Sequence, residues 1–146
     1  MNIERLLAVQ LTNYINDNIT AIGMPKYITL GAPVSLSGEA LWLQLLGSST
    51  VKQYLRGGKK GTFDFAIYYR MSASQTDGYE AKLLVPHEQL SDHFDELTEM
   101  PIFKDYTITS IEMTKSPTIF RKGEDGEITY QSLWRMDYQT KKKEGE

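Results

Sequence analysis

The chain reads as an α+β fold: a mostly antiparallel sheet with an N-terminal helix and a middle helix, kinked at Pro86, packed on one face. Three observations predict it. Residues 62–71, TFDFAIYYRM, alternate strictly, with Phe63, Phe65, Ile67, Tyr69 and Met71 on one parity and Asp64, Ala66, Tyr68 and Arg70 on the other, the period-two signature of a strand with one buried face. Ile3, Leu6, Leu7, Leu11, Tyr14, Ile15, Ile19 and Ile22 recur at helical spacing and form one apolar stripe. The second half returns to β-rich segments around a turn, Gly123 to Gly126. Strands, helix and strands again, with no sustained strand–helix alternation, favour helices laid on an antiparallel sheet.

The elements follow in order. A helix is expected over 2–22, with Asn2 as its cap and Gly23 and Pro25 as its stop. Residues 26–30, KYITL, are a short strand candidate, broken by Gly31 and Pro33, and 34–37 offer a second short piece. A strand starts near Ala40; Leu41, Leu43 and Leu45 share one face while Trp42 and Leu46 occupy the other. Apolar residues on both faces mean that the outer face is also covered, by a helix or by a neighbouring subunit. Residues 48–61, SSTVKQYLRGGKKG, read as a long connection: a hairpin tip kept soluble by lysines, or an arm reaching a neighbour or an anionic surface. The strand at 62–71 is expected in the middle of the sheet.

A bent helix is predicted over 77–98, with Leu90, Phe94 and Leu97 on its buried side; Pro86 either opens it or kinks it, and strand-like alternation over 79–85 is the competing reading. Met100 and Pro101 end it. Residues 106–114 form a strand whose apolar parity changes between Ile108 and Ile111, the mark of a bulge or of two partly covered faces, and Ser116-Pro117 is expected to break it. Residues 118–122 and 128–138 complete a hairpin; Ile128, Tyr130, Trp134, Met136 and Tyr138 share a face, with Ser132 as the gap. One domain is expected over 1–140, followed by a charged, disordered tail at 141–146.

Composition removes several function classes. The chain has 146 residues, enough for a sizeable core, and a net charge of −3, unlike a dedicated nucleic-acid binder. It contains no cysteine, which excludes disulfides, thiolate metal sites and thiol nucleophiles. No segment approaches the ~20 apolar residues of a membrane-spanning helix, and no signal-peptide pattern opens the chain; a cytoplasmic, soluble domain is expected.

No catalytic constellation emerges. His87 and His93 lie six residues apart, a poor metal spacing on a helix, and are expected to be exposed. Asp92, Asp95, Glu96 and Glu99 lie opposite the Leu90, Phe94, Leu97 stripe and read as a solvated face rather than as acid–base carboxylates. Ser72 and Ser74 lack a nucleophile-elbow context, and the adjacent acids Glu124 and Asp125 lack the spaced oxygens of a calcium loop. GGKKG, 57–61, has neither the spacing of a phosphate loop nor a Ser or Thr after its lysines. Lys52, Arg56, Lys59 and Lys60, with Tyr54, are the one basic cluster in the body of the chain that could meet phosphates. A non-enzyme without metal or cofactor is expected.

The segment order resembles a known family. It rests on the amphipathic first helix ending in 19–23 (ITAIG), the strand-like 40–46 (ALWLQLL), the Gly-rich approach to TFDFAIYYRM, and Glu80-Ala81 opening a helix that ends near Phe94 to Leu97. It rests too on Pro117 followed by Asp125-Gly126-Glu127-Ile128-Thr129-Tyr130, which runs into a strand with Trp134 and Tyr138. These features resemble the minor capsid or tail-terminator proteins of long-tailed bacteriophages of Gram-positive hosts; Pro86 inside the second helix departs from the pattern. The resemblance implies a virion protein, made in the host cytoplasm, that forms a hexameric ring on the tail tube, stops tube polymerisation and meets head-completion (neck) proteins. In such a ring Trp42, Leu46, Val51, Tyr54 and Leu55 would supply heterologous contacts to the next subunit or the tube. Lys52, Arg56, Lys59 and Lys60 would face the lumen and passing DNA. A head-completion or connector adaptor of the same particle and a small ligand-binding α+β domain are the alternatives.

Overall fold

The computed structural model describes residues 3–34, 38–53, 59–72, 79–124 and 126–140, with the backbone alone at 48–53 and 79–80. Their elements are α1 (Ile3–Asp17), α2 (Ile19–Ile22), β1 (Thr29–Leu30), β2 (Ala40–Gln53), β3 (Lys59–Met71), α3 (Tyr79–Glu96), β4 (Tyr106–Lys122) and β5 (Ile128–Thr140). The strands form one five-stranded sheet in the order β1-β2-β3-β5-β4. Every pairing is antiparallel except that of β1 with β2. The fold is α+β, and TFDFAIYYRM lies in the central strand, as its pattern predicts.

The first helix is shorter than its apolar stripe. α1 buries Leu7, Ala8, Leu11, Thr12 and Ile15, and Thr12 satisfies its hydroxyl by donating to the Ala8 carbonyl (2.8 Å). At Asn18 the chain breaks step: its side-chain amide donates to the Tyr14 carbonyl (2.8 Å), competing with the helical ladder. The single turn α2 resumes and ends at Gly23, in the left-handed region at φ 87°, where the Gly23 and Met24 amides both donate to the Ile19 carbonyl at 3.0 Å. Asn16 then ties α1 to the approach of β1, donating to the Ile28 carbonyl (2.9 Å) and accepting from the Ile28 amide (2.8 Å).

The sheet is longer than its apolar segments suggest. Residues 48–61 are not simply a connection: β2 continues to Gln53 and β3 begins at Lys59, with Val51 opposite Gly61, Lys52 opposite Lys60 and Gln53 opposite Lys59. The end of GGKKG is therefore strand. Its cause is tertiary: β3 is paired on its other edge by β5 along the same stretch, Lys60 with Gln139 and Gly61 with Tyr138, and two partners outweigh poor β propensity. A register shift between Leu45 and Ser49 keeps both parts of β2 in the ladder.

Gly61 is needed for space. A Cβ there would meet the hydroxyl, Cζ and Cε1 of Tyr138, the last at 2.9 Å. β4 likewise runs through Ser116-Pro117 instead of stopping. It is an edge strand, where a missing N–H is tolerated, and its four register shifts include one between Lys115 and Thr118. The parity change between Ile108 and Ile111 is such a shift. At the opposite edge only Thr29 and Leu30 of the KYITL candidate form strand; Val34 is fully exposed outside any strand, and 35–37 lie outside the described residues.

α3 is helical through Pro86, which settles 79–85 as helix. The helix spends Leu83, Pro86, His87, Leu90 and Phe94 on its buried side and leaves Glu88, Asp92, Asp95 and Glu96 in solvent. α1, α2 and α3 cover one sheet face, where Leu41, Leu43, Phe63, Phe65, Ile67, Tyr69, Tyr130, Trp134, Met136 and Tyr138 complete the main core. Burying these rings and aliphatic chains, at roughly 1.5–3 kcal/mol each, is the dominant favourable term in folding. The charged tail candidate, 141–146, lies outside the described residues.

Candidate interaction surface

The outer sheet face carries a second, smaller core. Ala40, Trp42, Ala66 and Tyr68 are buried there, with Leu46 and Leu133 packed against them. Trp42 and Tyr68 are neighbours on β2 and β3 and stack with ring centroids 5.0 Å apart at 12°. Phe120, from the opposite edge strand, meets Tyr68 edge-on at 5.1 Å. The Arg70 guanidinium lies 5.8 Å from the centre of the Trp42 ring, while its Nε donates to the Gly38 carbonyl (2.9 Å). Gln131 donates to the Tyr68 hydroxyl (2.9 Å). The indole Nε1 of Trp42 is buried without a partner. Among the described residues no helix covers this face, so of the two covers that an apolar outer face implies, a helix is not the one found.

Charge frames the cluster. Asp64 and Arg135 face each other across β3 and β5 at 3.1 Å, and Ser110 donates to Asp137 (2.8 Å) nearer the far end of the strands. Phe120 keeps about half of its surface in solvent, at 55%, so the cluster ends in an exposed apolar rim at the β4 edge.

The residues singled out in the sequence separate into two zones. Trp42 and Leu46 come together in the outer cluster. Val51 and Lys52 take their places in β2 opposite Gly61 and Lys60, and their backbone alone is described. Tyr54, Leu55 and Arg56 lie outside the described residues. Lys59 and Lys60 are exposed on β3, and the Lys59 amide donates to the Thr140 hydroxyl (2.9 Å), which fastens the basic end of β3 to the last residue of β5. Tyr68, the anchor of the aromatic zone, stands eight residues from Lys60 along β3, roughly 27 Å at strand rise. The aromatic and basic zones are distinct surfaces.

The histidines are a correction. His87, expected to be exposed, is completely buried, and His93 is half-buried. α3 turns its His87 side toward the sheet because Leu83, Leu90 and Phe94 define that side. The ring Nδ1 lies 2.6 Å from the Ser132 hydroxyl, which also accepts from Trp134 Nε1 (2.8 Å); His87 Nε2 has no partner. Burial pushes the His87 pKa down to about 4. His93 Nε2 is 2.7 Å from the Tyr14 hydroxyl; burial lowers the histidine, against the nearby Glu96 charge, and raises the tyrosine. A Ser–His pair is the beginning of nucleophilic catalysis. Here both side chains are sealed, and the hydroxyl is held by an indole, so no substrate carbonyl can reach it. Ser132 was visible in the sequence only as the gap in an apolar stripe; a polar group at an inward strand position requires a partner, and that requirement points to a donor or acceptor on the covering helix.

Other candidates resolve simply. Asp92, Asp95, Glu96 and Glu99 are exposed, as a solvated face requires. Glu124 is exposed in the hairpin turn, and Asp125 and Ser74 lie outside the described residues. Among the described residues no three His, Asp or Glu side chains gather as a metal site. Tyr69 donates to the Glu39 carboxylate, and its own ionisation is pushed up by burial first and by that carboxylate second.

No family model matches the chain, and no curated protein does. Among solved structures it is similar to a chain of the "Virion of native gene transfer agent (GTA) particle", at 15% identity, TM-score 0.52, over 92% of this chain and 93% of that one. At that identity the likeness is one of fold, and it extends over nearly the whole of both chains.

Proposed function

We propose that this chain is a structural protein of a phage-type particle, a tail terminator that forms a ring, a hexamer in its family's manner, on the end of the tail tube. The observation that carries the reading is the near-complete coverage, in both directions, of a chain from an assembled virion. The outer sheet face agrees with it: an aromatic cluster with an exposed rim at Phe120 suits a heterologous contact, in which one patch meets a different patch of the next copy. Trp42 and Leu46 belong to that contact. Val51, Tyr54 and Leu55 extend it to the neighbour or tube, and Lys52, Arg56, Lys59 and Lys60 face the lumen and its DNA. The partners are further copies of the chain, the tube protein and a head-completion protein; the site of action is the virion.

Deleting the gene from the phage or prophage that encodes it tests the reading. Tails of irregular, extended length that fail to join heads are the expected product. Normal tails joined to heads would sink the proposal, and normal-length tails left without heads would transfer the chain to the head-completion role.

A further inference from the structure

We propose that His87 makes the first half of α3 an acid-released latch: on taking up a proton its ring loses its seat on Ser132, and residues 79–87 lift from the sheet. The pair suits a neutral ring: Ser132 Oγ, which accepts from Trp134 Nε1, either donates its own proton to an unprotonated His87 Nδ1 or accepts from His87 Nδ1–H, according to the tautomer. A protonated ring carries an N–H at both nitrogens: it can no longer accept from Ser132, and its Nε2–H points into a fully buried space with no acceptor among the described residues.

Nothing described around the ring compensates that charge. The inward residues beside Ser132 are Tyr130 and Trp134 on β5, Ile67 and Tyr69 on β3, and Met113 and Ile119 on β4. The titratable groups among them are the two phenols, and the hydroxyl of Tyr69 is already given to Glu39. α2 is Ile-Thr-Ala-Ile, without an ionisable side chain. α1 meets α3 through Tyr14 and His93, a turn and a half further on. On α3 itself Lys82 and Glu88 are exposed. The helix is also weak where the charge would appear: Pro86 has no N–H for the carbonyl four residues back, so the turn carrying His87 is one ladder bond short.

The sign follows from proton uptake. A released ring titrates near 6.5 and the seated ring well below it, near 4. Between those values opening takes up one proton, so the open population rises about tenfold for each unit the pH falls, and flattens below the lower value. Above about 6.5 the latch is closed at full strength.

Hydrogen exchange on the full chain between pH 7 and 4.5, corrected for intrinsic rates, reads this directly. Protection at residues 83–90 should be level above about pH 6.5 and fall about tenfold per pH unit below it while β3 and β5 hold theirs, and in His87→Gln it should not follow pH. A flat profile in the unmodified chain, or the same decline in His87→Gln, would overturn the proposal. If His87→Gln does not fold, the NMR titration of the His87 ring in the unmodified chain decides: a midpoint below 5 supports the latch, and one near 6.5 removes it. Neither outcome depends on ring assembly.

Discussion

The two faces of β3 solve different problems with the same backbone. Its inward residues Phe63, Phe65, Ile67 and Tyr69 disappear beneath three helices. Its outward residues Ala66 and Tyr68 are as thoroughly buried, yet among the described residues only other sheet side chains cover them, and the neighbouring Asp64 stays about a quarter exposed in an ion pair. The inner face is closed by the chain's own architecture and therefore supplies stability. The outer face is closed by a few aromatic contacts with an open rim, and supplies a surface. Burial alone does not distinguish a core from an interface; what distinguishes them is whether another layer of the same chain lies on top.

Substitutions can break that distinction. Phe65→Ala should cost the most, about 3–5 kcal/mol in denaturant unfolding, because its cavity would open beside Trp134, which stacks on it at 6.0 Å. Gly61→Ala should cost about 1–3 kcal/mol through its collision with Tyr138. Tyr138→Phe, which removes a buried hydroxyl without a partner, should be close to neutral. Phe120→Ala should cost about 1 kcal/mol or less in the isolated chain yet weaken self-association measured by sedimentation. If it destabilises the monomer as much as Phe65→Ala does, the contrast between the faces is lost. Asp64→Asn is expected at the bottom of the scale, about 0–1 kcal/mol and smaller in high salt, since Arg135 is half in water.

The fold class was readable because period two at 62–71 and the helical stripe of α1 each have one physical interpretation. The ends of the elements were not, and for a common reason. Lys59, Lys60 and Gly61 have poor strand propensity, but β2 on one side and β5 on the other give each a place in a ladder. Pro117 looked like a break until its strand proved to be an edge. Both decisions belong to tertiary pairing, which local sequence does not contain. Of the candidate surface, Trp42 and Leu46 were legible as apolar residues on the wrong parity. Tyr68 was legible as well, on the outward parity with Asp64 and Arg70, whereas Phe120 was not: it reaches the outer cluster only through the register shift between Ile119 and Arg121. His87 was misread because charge-bearing neighbours, Glu88 and Asp92, made its helix look polar where it was turning inward.

The strand order has a kinetic side. β2 with β3, and β4 with β5, are neighbours in sequence, whereas β3 meets β5 across a seam whose nearest pair, Met71 with Ile128, is 57 residues apart. Local hairpins form in about 1–10 μs, while closing a loop of that size carries an entropic cost of roughly 3–4 kcal/mol before the first seam contact is made. The two hairpins are thus expected to wait for each other. Ile67→Val, placed in the seam opposite Ser132, should slow refolding more than it speeds unfolding, and a change confined to the unfolding rate would show that the seam forms after the barrier.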